Sequence, residues 1–153
     1  MKLRLLLLAG AFFVACGLLS CSDDEERAPL EGVWQGTSAH AKFTPQGSPV
    51  AVYDEALPDF TPLIEFREDG SASVDVDGTV TNGTWQYTDG NNKVVANVDL
   101  QNDFFGTSET FTIKSLTNSS LVLEFLKEGE VDIPDFGPLD GKLVLTMNFT
   151  RVE

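Results

Sequence analysis

The sequence predicts an all-β domain built as an eight-stranded up-and-down antiparallel barrel. Three observations lead there: short apolar runs that alternate with period two, turn residues between those runs, and no long crossover connection. The first strand is expected at Val33–Ala41. Residues 64–66, 72–76, 84–88, 94–98, 111–113, 121–125 and 143–149 supply the other seven, each with one apolar and one mixed face. Asp69-Gly70, Asp77-Gly78, Asp89-Gly90-Asn91-Asn92 and Thr117-Asn118-Ser119 fall between runs, and such residues accept positive φ or bond their own backbone. Consecutive strands joined by tight turns suit a barrel, because closure removes exposed edges. A β-sandwich is the competing architecture.

Two stretches resist assignment to strands. Residues 42–62 hold Pro45, Pro49, Pro58 and Pro62, and residues 128–141 hold Pro134 and Pro138 with three glycines. Proline removes a ladder donor, so both read as loops. Their aromatic residues, Tyr53, Phe60 and Phe136, are candidate exposed contacts, and the stretches either cover a barrel end or frame an entrance.

Alternation assigns an interior. Phe66, Val74, Trp85, Tyr87, Phe111, Leu123, Phe125, Leu145 and Met147 are the candidate ligand-lining residues, and Val76 is expected to face inward with them. An eight-stranded interior is either filled by side chains or holds one small ligand. An apolar lining favours a hydrophobic molecule.

The first twenty residues belong to targeting rather than to the fold. Lys2 and Arg4 precede an apolar run from Leu5 to Leu19, about fifteen residues and short of the roughly twenty of a spanning helix. Leu18-Leu19-Ser20-Cys21 ends that run and resembles a bacterial lipobox, which makes Cys21 the candidate lipidation site. Cys16, after Val14-Ala15, is the poorer candidate because Phe13 stands where an aliphatic residue is expected. The chain therefore divides into a lipoprotein signal peptide (1–20), an acidic tether (21–29) and a β domain (30–153). Ser22-Asp23-Asp24-Glu25-Glu26 keeps the tether solvated, and it resembles the signal that sends Bacteroidota lipoproteins to the outer face of the outer membrane. Cell-surface display is expected, with the periplasmic leaflet as the alternative.

Charge and chemistry exclude several classes. The full chain carries 10 basic and 24 acidic residues, and removing Lys2 and Arg4 with the leader takes the formal charge from -14 to -16. Nucleic acid is a poor partner for that surface. With Cys21 lipidated, no disulfide is available, so the domain depends on its hydrophobic core. His40 is the single histidine and no thiol lies in the folded part, which argues against nucleophilic catalysis. Asp75-Val76-Asp77-Gly78 lacks the distal glutamate of a calcium loop. No catalytic residue, cofactor or metal is expected.

Leu30-Glu31-Gly32-Val33-Trp34, Ile64-Glu65-Phe66 leading to Asp69-Gly70, Asn82-Gly83-Thr84-Trp85, Leu121-Val122-Leu123 and Phe149-Thr150-Arg151 occur in an order that resembles the lipocalin-like domains of small Bacteroidota lipoproteins. The resemblance spans Leu30 to Glu153. It implies that Gly32 and Trp34 close one barrel end and that Arg151, from the last strand, packs across the indole. Alternation through Leu143, Leu145, Met147 and Phe149 puts Arg151 on the inward face, where a cation–π contact adds about 0.5–2 kcal/mol. The segment 128–141 departs from larger lipocalins, which carry a helix before the last strand.

The expected function is thus non-enzymatic: a lipid-anchored outer-membrane protein binding a small hydrophobic ligand in its barrel. The alternative is a solid barrel that binds protein or glycan through its loops. Growth with a clickable palmitate analogue is expected to label the wild-type protein and leave Cys21→Ser unlabelled. Label kept by that variant and lost from Cys16→Ser would move the anchor to Cys16.

Overall fold

Pairing of the first strand with the last decides the architecture. The computed structural model describes residues 28–99 and 106–152. Cys21, the expected signal peptide at 1–20 and most of the expected tether at 21–29 lie outside the described residues. Within them run β1 (Gly32–Pro45), β2 (Tyr53–Leu57), β3 (Leu63–Phe66), β4 (Ser71–Val76), β5 (Thr79–Thr88), β6 (Lys93–Asn97), β7 (Glu109–Leu116), β8 (Ser120–Ile133) and β9 (Gly137–Val152). All pairings are antiparallel, in the order β2-β1-β3-β4-β5-β6-β7-β8-β9, and β1 also pairs β9 from Val33–Val152 to Pro45–Gly141. The sheet is therefore a closed eight-stranded up-and-down barrel with one extra strand, β2. No β-sandwich forms.

β2 and β3 lie end to end on the same edge of β1. Ala39 faces Leu57 and Gln35 faces Leu63, so six steps along the β2–β3 side oppose four along β1. Pro58 and Pro62 bound that break, where a missing N–H interrupts the ladder. Gly36 N–H donates to Pro62 O at 2.7 Å and Gln35 Nε2 to Thr61 O at 2.7 Å, so β1 holds the break in place. A second irregularity, between Gly36 and Ser38, changes the inward set of β1 from Trp34 and Gly36 to Ala39, Ala41 and Phe43.

The two stretches expected as loops are largely strand. β1 continues to Pro45, β2 occupies Tyr53–Leu57, β8 reaches Ile133 and β9 begins at Gly137. Their prolines sit where a donor is not missed. Pro45 ends β1, and Pro138 pairs Asp132 beyond the last β1–β9 pair, with β8 on one side only. Burial favours the extension, since Phe43, Val131, Ile133 and Leu143 are all in the core, at roughly 1.5–3 kcal/mol for each large side chain removed from water.

Turns form where their chemistry pointed. Val76 pairs Thr79 across Asp77 (φ 52°) and Gly78 (φ 82°), the two-residue turn in which both central residues take positive φ. In the β3–β4 turn the Ser71 hydroxyl and then its N–H bond Asp69 and hold that carboxyl below the usual carboxylate range. That support is present at neutral pH and is lost as pH falls through the lowered value.

One barrel end is sealed. Trp34 is fully buried and its Nε1 donates to Leu30 O at 2.7 Å. Arg151 lies over the indole with Cζ 4.3 Å from the ring centroid, and the guanidinium donates to the carbonyls of Asn118 (2.8 Å), Glu31 (2.7 Å) and Pro29 (2.5 Å). The lead-in to β1, the β7–β8 turn and the end of β9 are thereby fastened together. Gly32 adopts φ 134°, and a Cβ there would run into Arg151 Nη1, so only glycine fits. Trp34→Ala should lower the unfolding free energy by about 3–5 kcal/mol. Arg151→Lys should lower it by about 1–3 kcal/mol, because an ammonium cannot reproduce the fork. Urea denaturation measures both, and wild-type stability of Arg151→Lys would show that the carbonyl bonds contribute nothing.

Candidate functional site

Side-chain size on opposite walls decides where the barrel is hollow. β1, β8 and β9 are long, and their inward residues Phe43, Phe125, Val131, Leu143 and Leu145 pack solidly. The facing strands bring Ala72 and Val74 from β4 and Val94 and Ala96 from β6, all small. A cavity of about 240 Å³ remains on the small side. Ile64, Phe66, Phe111, Leu123, Met147 and Phe149 complete its apolar wall, and it opens at the end opposite Trp34.

Of the nine residues expected to line a ligand site, five border this cavity: Phe66, Val74, Phe111, Leu123 and Met147. Trp85, Tyr87, Phe125 and Leu145 do not. Trp85 packs edge-on against Phe66 at 5.4 Å and Tyr87 at 5.2 Å, and its Nε1 donates to Arg67 O at 2.9 Å. Phe125 is buried 5.7 Å from the Phe111 ring. Val76, expected inside, is 46 % exposed and stands at the mouth. It ends β4 beside the turn, where the wall stops.

The three aromatics read as exposed contacts part company. Tyr53 belongs to β2, opposite Phe43, and packs against the core. Phe60 sits in the β2–β3 break, half-buried, with its ring edge-on to Phe149 at 5.7 Å, and it forms part of the cavity wall. Gly36 makes room for it, since a Cβ there would lie 3.0 Å from the ring and 2.6 Å from Pro62 Cδ. Phe136 alone of the three is well exposed, at 56 %, on the tip of the β8–β9 hairpin.

Among the described lining residues, polar groups gather at the mouth. Asp59, Thr61, Asp77, Gly106 and Glu109 form the rim, and Glu109 Oε1 accepts from Gly106 N–H at 2.7 Å. A wider depression of about 660 Å³ lies on the outer face between Lys42, Gln46, Glu128 and Lys142; its open, mixed-charge walls make it a solvent groove. His40 lines neither. Its Nε2 lies 3.2 Å from Asp54 Oδ1 on the outer face, where Lys42 shares the same carboxylate at 3.3 Å. Among the described residues no three His, Cys, Asp or Glu side chains converge to hold a metal.

No family model matches the chain, and no curated protein is significantly similar to it.

Ala96→Leu tests whether the interior is hollow. Three added carbons in a filled core cost about 1–3 kcal/mol, whereas carbons entering a void cost less than about 1 kcal/mol or stabilise. Urea denaturation should show the smaller change. A loss of about 1–3 kcal/mol or more, the cost of overpacking a filled core, would contradict the cavity.

Proposed function

We propose that the chain is a non-enzymatic, lipid-anchored outer-membrane lipoprotein of the lipocalin-like kind found in Bacteroidota, and that its barrel binds a small hydrophobic ligand. The cavity is the observation that carries this reading. An apolar cavity of about 150 Å³ holds benzene, so 240 Å³ suits a molecule of about ten non-hydrogen atoms. Phe66 and Val74 would clasp its buried end, and Phe60 and Phe111 would flank the part nearer the mouth.

Pro29 and Leu30 are bound at the Trp34 end, opposite the mouth, so a lipid carried on Cys21 would set the cavity facing away from the membrane surface. Ligand would arrive from the medium. The competing reading, recognition of protein or glycan through loop aromatics, loses support because Tyr53 and Phe60 pack inward.

Burying roughly nine methylene-sized groups at about 0.8 kcal/mol each contributes about 7 kcal/mol, which caps the affinity at a Kd of about 5 μM, and the cost of association weakens it toward the millimolar range. Isothermal titration of the protein with 1-nonanol should show saturable one-to-one binding in that range. Ala72→Phe, which occupies the cavity floor, should abolish it while the barrel still unfolds cooperatively. Unchanged binding by a folded Ala72→Phe protein would place the ligand elsewhere and end this reading.

A further inference from the structure

We infer that the cavity selects a small hydrophobic cation, an alkyl- or arylalkylammonium of about ten non-hydrogen atoms, over neutral or anionic molecules of equal size. This rests on the cavity being a ligand site and adds the charge of the ligand. The wall below the rim is hydrocarbon, with no polar side chain among the described lining residues deep enough to hold a head group. A bound molecule must therefore leave its polar end at the mouth.

What it meets there has one sign. Asp59 comes from the β2–β3 break, Asp77 from the β4–β5 turn and Glu109 from the start of β7, so acidic residues border the mouth from three separate elements. No Lys, Arg or His lines the cavity among the described residues. The ion pairs His40–Asp54, Lys42–Asp54, Arg67–Glu65, Lys93–Asp89 and Lys114–Glu124 use other carboxylates, so these three are not neutralised by the described pairs. Phe60 and Phe111 add ring surface to the same wall, and aromatic faces attract ammonium groups as well as alkyl chains. A fatty carboxylate would offer the same tail and be repelled at the head. The chain's net charge of -14 adds a field of the same sign at longer range.

Three probes of ten non-hydrogen atoms separate the cases: nonylammonium, 1-nonanol and octanoate. Titrations use the full chain in zwitterionic nanodiscs at pH 7, with empty nanodiscs as the blank. At low salt nonylammonium should bind about tenfold more tightly than nonanol, with octanoate weakest, since charges at a wet mouth interact by modest amounts. The preference should narrow at 0.5 M salt as screening shortens. In the combined Asp59→Asn, Asp77→Asn, Glu109→Gln protein the ratio of nonylammonium to nonanol affinity should fall to about one. Asparagine tolerates the positive φ of positions 59 and 77, and glutamine keeps an acceptor for Gly106, so this variant retains its backbone. Glu68→Gln, Glu128→Gln and Glu130→Gln together remove the same charge away from the cavity and should leave the preference intact. Equal affinity for the three probes, or equal loss in both triple variants, would overturn the cation inference while leaving the cavity reading standing. Failure of all three probes to bind would overturn both.

Discussion

The ladder between β1 and β9 is the constraint on which the rest of the molecule depends. It converts a meander into a cylinder and runs from the Val33–Val152 pair to the Pro45–Gly141 pair. Side chains alternate along a strand, so a one-residue slip in this ladder would turn Phe149, Met147 and Leu145 outward together. Arg151 resists that slip. Its guanidinium lies on Trp34 and binds carbonyls from two other segments, which is possible in one register only.

Closure by long strands on one side and short strands on the other makes the interior uneven. β1, β8 and β9 rise well above β3, β4 and β6, and their upper residues, Phe43, Val131, Ile133 and Leu143, fill the tall side. Ala72, Ala96 and their valine neighbours leave the short side open. A cavity of 240 Å³ that opens to solvent forgoes the burial of its hydrocarbon lining. For a β domain with no cysteine in its described residues to draw on, that is a large concession unless something fills the space. The absence of buried polar or charged residues among those described fits an interior shaped by hydrocarbon alone.

Much of this was readable in the chain. Alternation through 121–125 and 143–149, together with Asp-Gly turns, marked the strands, and the parity of Arg151 with Phe149 put the guanidinium inside. The extensions were hidden by proline. Val131 and Ile133 alternate as a strand should, but Pro134 and Pro138 so close by read as loop, and whether a proline lies on a free edge depends on which strand ends first. Phe60 was misread for a similar reason, because its burial requires Gly36, twenty-four positions earlier, to lie beneath it. The void itself needs register. Ala72 pairs Gly83 and Ala96 pairs Trp85 on the intervening β5, so two alanines face one space only after three strands are aligned. With 24 acidic residues in the chain, the three that would meet at the mouth carried no mark of their own.

The central claim is that this barrel encloses usable space on its short side. Methyl-labelled protein saturated with 1-nonanol gives the most direct test through intermolecular nuclear Overhauser effects. The account predicts contacts from the alkyl chain to the methyls of Val74, Val94, Leu123 and Met147. Contacts confined to the exposed methyls of Val50 and Val80, with none to those interior methyls, would contradict it.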